Sequence, residues 1–400
     1  VKSTYKEMNN SDNFIDFDLK KARFALKAIF LVCGVGISSW APMVPYTKDR
    51  LGLDDGQMGV LLLFLGAGAI TVMPITGWLI SKLGSRKTTI GAAIVMSLSL
   101  PLLLQMDSSV AMAIMLFVFG AGLGCIDVSM NAHGVQIQNL SEKPIMSSIH
   151  GLFSVGGLVG PLVIGFLIKA GLEPLIAAVS VGALMLVIVF TQYRFLMNAS
   201  TEENVIRRFT PETSDAGAGG TSWLNGQVIF LGTMCFIVFL AEGAMLDWSA
   251  IFLRDNRGIE EALSGAGYAA FSVAMALMRL VGDKVVSKLD TKTVVSGGAF
   301  VGVAGFALII FTPWLIGAFL GFVLVGIGAA NIVPVFFSEG GRLKNVSSSV
   351  AIPAITSMGY AGQLAGPAML GFIAQQTSLP IAFGFTGFLL LLVGIAYGRK

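Results

Sequence analysis

Four hundred residues, 55% of them hydrophobic and only 12% charged, exclude an ordinary soluble domain, in which about 25% of residues are charged. Mean hydropathy is +0.81, and apolar runs of at least ~18 residues recur along the chain, which places it in a bilayer. The net charge of +3 lends no support to nucleic-acid binding. Cys33, Cys125 and Cys235 each stand alone in an apolar segment and read as packing residues, with no disulfide or metal site expected.

The apolar runs are continuous rather than alternating, so they predict helices; only helices and closed barrels satisfy the backbone in lipid. Residues 1–23 are polar and mixed in charge and read as a cytosolic tail, within which Phe14–Leu19 has the pattern of a short interfacial helix. No cleavable signal peptide is expected. Six spans are predicted at about 24–46, 56–80, 88–106, 109–136, 146–170 and 174–195. A polar stretch at 196–223, Gly-rich at 216–220, reads as a flexible cytosolic linker. Six more spans follow at about 225–252, 262–286, 292–311, 314–337, 347–375 and 379–398. The expected fold is an all-α membrane protein of twelve transmembrane helices, with one six-helix bundle at 24–195 and another at 224–400.

Loop charges set the expected orientation. With the N-terminus cytosolic, about 20 Lys and Arg fall on the cytosolic side and about 5 outside: Lys48, Arg50, Lys169, Arg254 and Arg257. Both termini are then inside.

The two bundles are related by an internal repeat. Gly160-Pro161 matches Gly366-Pro367 at an offset of 206 residues. The same shift pairs Gly165-Phe166 with Gly371-Phe372, Pro174 with Pro380, and Gly120 and Gly122 with Gly326 and Gly328. It also pairs Gly52 and Gly59 with Gly258 and Gly265, and Ser81-Lys-Leu-Gly84 with Ser287-Lys-Leu-Asp290. A single offset recurring from the second span to the twelfth describes two parallel halves, and a layout of that kind places a solute site between them near the midplane.

The fourth span carries the strongest chemical signal. Asp127 lies deep in it, where an acid costs roughly 2.5–3.5 kcal/mol and is tolerated facing a cavity or a partner. Asn131, four residues on, shares its helix face. Asp127 reads as a protonation or solute site, with a structural hydrogen bond to a neighbouring helix as the alternative. Glu242, mid-span in the seventh run, is the second candidate for proton coupling. Asp247 suits a helix end, an outer gate or solute binding. Trp40 and Trp248 are candidates for stacking on a solute or for anchoring at the interface. His150 and His133 are candidates for proton relay or for interhelical contacts. Asn331 and Gln363 are polar groups mid-span and candidate cavity liners. Arg279 and Asp283, four apart on one face, are expected to pair with each other or with the eleventh run as a cytosolic gating latch. Gly77 and Arg86, about the turn at 81–88, are further gating candidates.

Gly77-Trp-Leu-Ile-Ser81-Lys-Leu-Gly84-Ser-Arg86-Lys87, set between the second and third of two sets of six spans, resembles the loop signature of the major facilitator superfamily. Ser81 stands where that family usually has Asp. Arg279-Leu-Val-Gly282-Asp283 is a relative of the signature in the second half. Trp40, Asp127-Val-Ser-Met-Asn131, Ser147-Ser-Ile-His150-Gly, Glu242-Gly-Ala and Asp247-Trp248 resemble the fucose-permease-like group, especially its YbjJ-type branch of bacterial inner-membrane proteins. In fucose permease a carboxylate of the fourth helix, followed four residues later by Asn, takes part in proton coupling; Asp127 and Asn131 are the matching positions. Its first-helix carboxylate has no match here, where Ser38 and Ser39 stand.

The expected function is secondary active transport of a small polar solute across the bacterial inner membrane by alternating access. Proton-coupled symport is expected, with a sugar or sugar derivative as the class that the resemblance implies. A proton-antiport exporter of drugs or amphipathic metabolites, and a non-transporting solute sensor, are the alternatives. The expected partners are the solute, protons and the lipid bilayer, with the chain acting as a monomer and without a cofactor. No Gly-x4-Gly-Lys-Ser/Thr loop and no nucleophile–base constellation is present, which argues against ATP-driven transport and against an enzyme.

Overall fold

The computed structural model describes residues 18–53, 55–141, 143–209, 224–259, 266–343 and 346–400. All regular structure among them is helical. Asp18 opens α1 (Leu19–Ser39) by accepting hydrogen bonds from the backbone N–H groups of Lys20 at 3.0 Å and Lys21 at 3.1 Å. The first span therefore starts earlier than expected, and most of the expected Phe14–Leu19 interfacial helix lies outside the described residues. A 3-10 turn at Ala41–Met43, containing Pro42, leads into the short α2 (Val44–Leu51). Then come α3 (Asp55–Leu83), α4 (Ser85–Leu102), α5 (Ser109–Asn139), α6 (Met146–Lys169) and α7 (Pro174–Gln192). After α8 (Ala199–Phe209), the second half runs α9 (Gly226–Arg257), α10 (Ala266–Lys288), α11 (Thr291–Phe311), α12 (Leu315–Ala329), α13 (Ile332–Gly340), α14 (Ser348–Gln376) and α15 (Leu379–Gly398).

Among the described residues ten spans are long and apolar enough to cross a membrane, α12 and α13 counting as one at Leu315–Gly340. The more polar α10 and α14 are of similar length, at 23 and 29 residues, so the whole is compatible with twelve crossings.

The two halves pack alike. In the first, α1 lies on α6 and α7, α3 on α5, and α4 on α5 and α7. In the second, α9 lies on α14 and α15, α10 on α12, and α11 on α12 and α15. The repeat extends to single contacts. Gly120 of α5 touches the Leu65 carbonyl of α3, and Gly326 of α12 touches the Phe271 carbonyl of α10; both members of the second pair lie 206 residues after their counterparts. A Cβ at either glycine would overlap the facing backbone, so glycine sets how closely these helices approach.

Across the molecule α6 meets α10 and α3 meets α14. Hydrogen bonds join the halves at the end that holds the 83–85 turn. Gln136 Nε2 donates to Ser348 Oγ (3.0 Å), Gln138 Nε2 to Ser338 Oγ (2.6 Å), Arg342 Nε to Asn139 Oδ1 (3.0 Å), and the Ser148 N–H to Asp283 Oδ1 (3.1 Å). Val135, Phe336 and Phe337 are buried in the same layer. The halves are closed at this end.

Two elements depart from the sequence reading. Part of the expected flexible linker is the ordered helix α8, docked on the first half. The Glu202 carboxylate, 3% exposed, accepts a 2.8 Å hydrogen bond from the Ser85 N–H at the start of α4, where free N–H groups favour an anion. Burial raises the Glu202 carboxyl above its ordinary range, partly offset by the hydrogen bonds from Ser85. The Gly-rich 216–220 stretch lies outside the described residues. The tenth span, expected to be continuous, is interrupted at Ala330 and Asn331, between α12 and α13.

Candidate solute site

A cavity of about 530 Å³ lies between the halves. Asp127 from α5 and His150 from α6 line one side; Glu242 and Asp247 from α9, Arg279 from α10, and Tyr360 and Gln363 from α14 line the other. The rest of the wall is apolar and includes Leu62, Leu63, Phe153, Phe239, Leu246 and Phe337. Leu63 is 62% and Leu246 45% exposed, whereas Phe337 is 1% exposed.

Asp127 heads a polar chain. Asn131 Nδ2 donates to Asp127 Oδ1 at 3.2 Å and to the Asp127 carbonyl at 2.8 Å. The Asn131 side-chain oxygen is therefore left to accept, and His150 Nε2 lies 3.0 Å from it, so Nε2 carries the proton. His150 is held between rings, edge-on to Phe30 (5.2 Å) and stacked on Phe337 (5.7 Å). From the opposite half, the Tyr360 side chain lines the same cavity, with its hydroxyl toward the Asp127 carboxylate. The candidate acid of the first half thus faces a polar group of the second.

Arg279 makes the reciprocal link. Its Nη2 lies 3.2 Å from Glu242 Oε1, its Nε donates to the Ala330 carbonyl at 3.1 Å, and its Nη1 donates to Ser154 Oγ of the first half at 3.1 Å. The Ala330 carbonyl is free to accept this bond because the residue four on, Pro334, has no N–H to donate. Ser154, which accepts from Arg279, and Tyr360, which faces Asp127, are 206 residues apart and so are mates in the repeat.

The expected site residues therefore separate. Asp127, His150, Glu242 and Gln363 line the cavity. Asn131 is fully buried behind Asp127 and holds it. The expected Arg279–Asp283 pairing is not formed: Arg279 turns into the cavity toward Glu242, and Asp283 accepts from the Ser148 N–H across the closed end. Trp40 is buried in the apolar core at the end of α1 and Trp248 packs beside Gly371; neither lines the cavity. Asn331 lies against Gly282 at the α10 contact, also outside the lining. Gly77 packs against the Ser349 carbonyl of the other half, and Arg86 stacks on Tyr193 at 3.9 Å. His133 is not among the residues lining the cavity. Its Nε2 accepts the Met197 N–H at 3.2 Å, so Nδ1 holds the proton and donates to Ser85 Oγ at 2.7 Å. Neither Tyr360 nor Ser154 carries a sequence signal beyond its equivalent place in the repeat.

Two like-packed helical halves enclosing a central cavity, closed at one end and lined by buried charge, define a membrane transporter. The chain belongs to the Major Facilitator Superfamily, whose profile matches residues 28–343. It is 42% identical over 364 residues to an uncharacterized MFS-type transporter of Yersinia pestis, covering 91% of this chain and 92% of that one. Among solved structures it resembles FucP in the outward conformation (TM-score 0.72, 15% identity, 94% of this chain and 97% of that one). It also resembles the proton:xylose symporter XylE (TM-score 0.74, 13% identity, 95% of each chain). At such identities the two structures speak for the fold alone.

Proposed function

We propose that this transporter is a proton-coupled symporter of a small polar solute, a sugar or sugar derivative, working by alternating access in the bacterial inner membrane. The observation that carries the reading is the Asp127 carboxylate, buried at the cavity wall and faced by Tyr360 of the opposite half. A proton taken up or lost at that carboxylate changes how strongly the halves attract each other there, and so biases which end of the cavity is closed. The Arg279 link to Glu242 and Ser154 provides a second cross-half contact that a solute can displace. With the termini cytosolic, the closed end faces the cytosol and the cavity serves the outside. Solved neighbours described as fucose:proton and proton:xylose symporters lend support to the solute class.

Proteoliposomes carrying an imposed pH gradient, with labelled fucose and xylose as probes, test the reading. Wild-type chain takes up a probe when driven; Asp127→Asn loses driven uptake and keeps equilibrium exchange. Equal driven uptake by both removes Asp127 from the coupling. The mostly apolar wall favours a second reading, proton-antiport export of amphipathic compounds. Symport makes the outside more alkaline when solute is added; antiport acidifies it.

A further inference from the structure

The charges around the cavity do not balance. Among the described residues three carboxylates line it, those of Asp127, Glu242 and Asp247, against a single guanidinium, Arg279. That guanidinium is occupied, since each of its nitrogens meets a protein acceptor, on Glu242, Ala330 and Ser154. Two of the carboxylates also have partners: Glu242 has Arg279, and Asp127 has the Asn131 amide. Asp247 is the remaining one. It lines the cavity, yet among the described residues no hydrogen bond or ion pair engages its carboxylate. A helix-end role does not explain it, because α9 runs on to Arg257.

An open cavity leaves this carboxylate hydrated. When a solute fills the space and displaces that water, an uncompensated charge against Leu246, Leu62 and Phe239 becomes costly unless the solute itself brings the counter-charge. An anionic solute would meet three acids and, among the described lining residues, no guanidinium or ammonium group free to receive it. Phe239 and Tyr360 stand edge to face at 5.8 Å in the same wall and present ring surface that a cation favours.

We infer that the solute carries one positive charge, an amine on a small hydroxyl-bearing or cyclic frame, and that Asp247 is the carboxylate that receives it. This rests on reading the cavity as the solute site and narrows the class from sugars at large to amine-bearing ones. The cavity volume suits a molecule of monosaccharide size.

Thermal-shift and direct binding measurements on the purified full chain, with glucosamine, glucose and glucuronate as one set and cyclohexylamine and cyclohexanol as another, test it. The amine in each set is expected to bind roughly tenfold tighter than its neutral partner, and glucuronate weakest. Asp247→Asn is expected to bring amine and neutral partner within about twofold, and Asp247→Glu to restore the preference. Equal binding within both sets, preference for glucuronate, a preference that survives Asp247→Asn, or no binding by any probe overturns the inference. Failure of the transport reading looks different: amine-selective binding persists, without gradient-driven uptake.

Discussion

Replacing Tyr360 with Phe removes one hydroxyl and keeps the ring that packs against Phe239. The lost hydroxyl lies toward Asp127 of α5, so any hydrogen bond it makes there contributes only while the halves stand as described. A hydrogen bond to a charged group contributes about 1.5–3 kcal/mol. If the bond is absent from the alternate state, its removal shifts the balance between the two by roughly 10–150-fold. The readout is alkylation of Ser147→Cys, a nearly isosteric change at a site 2% exposed at the closed end. The three native cysteines, all buried, are replaced by Ala in both backgrounds. Labelling in the Tyr360→Phe background is expected to run at least about tenfold faster than with Tyr360 in place. Labelling within twofold would refute the idea that this bond holds the closed end shut.

Further tests address the other contacts. Arg279→Met leaves Glu242 without its partner in a buried site and is expected to cost about 3–5 kcal/mol in thermal or denaturant unfolding. The double variant Arg279→Met/Glu242→Leu is expected to recover most of that loss, because the isolated charge, rather than the missing pair, is the main penalty. Gly282→Ala puts a methyl group onto Asn331 Oδ1 and 2.6 Å from the Ser147 Cβ. It is expected to cost about 1–3 kcal/mol and to favour the state in which α6 and α10 separate, read by the same alkylation. Glu202→Gln tests pH dependence. A carboxyl raised by burial stabilises α8 docking at low pH and loses that contribution as pH rises through its folded value. Hydrogen exchange of α8 amides should therefore speed up from pH 5 to 8, beyond the intrinsic rate, in wild type and not in Glu202→Gln.

The membrane architecture was legible because hydropathy, loop charge and a repeated glycine spacing report on properties that every span shares. Asp127 and Asn131 were legible because helix periodicity alone places them on one face. Tyr360 was not, since a tyrosine in an apolar run is ordinary and its partner lies in the other half of the chain. Arg279 shows local spacing losing to tertiary context. Asp283 sits one turn away, but Glu242 and the freed Ala330 carbonyl take the guanidinium, and the N–H of Ser148 takes Asp283. The interruption at 330–331 was signalled by Pro334, which has no N–H for the Ala330 carbonyl four residues back, but an apolar run with one proline still reads as a single span. α8 was hidden for a related reason: a polar, charged stretch reads as solvated, and only the fold reveals that one of its acids, Glu202, seals a helix start.

The main-chain oxygen of Ala330 has a consequence for how this cation can be probed or can drift. An acceptor that belongs to the peptide bond survives every side-chain replacement at its own position. Truncating the wall residues one at a time would leave it in place and assign the whole grip on the guanidinium to Glu242 and Ser154. Related chains can therefore exchange both of those side chains without setting the cation loose, so long as a proline at the position of Pro334 keeps that oxygen unclaimed by the helix.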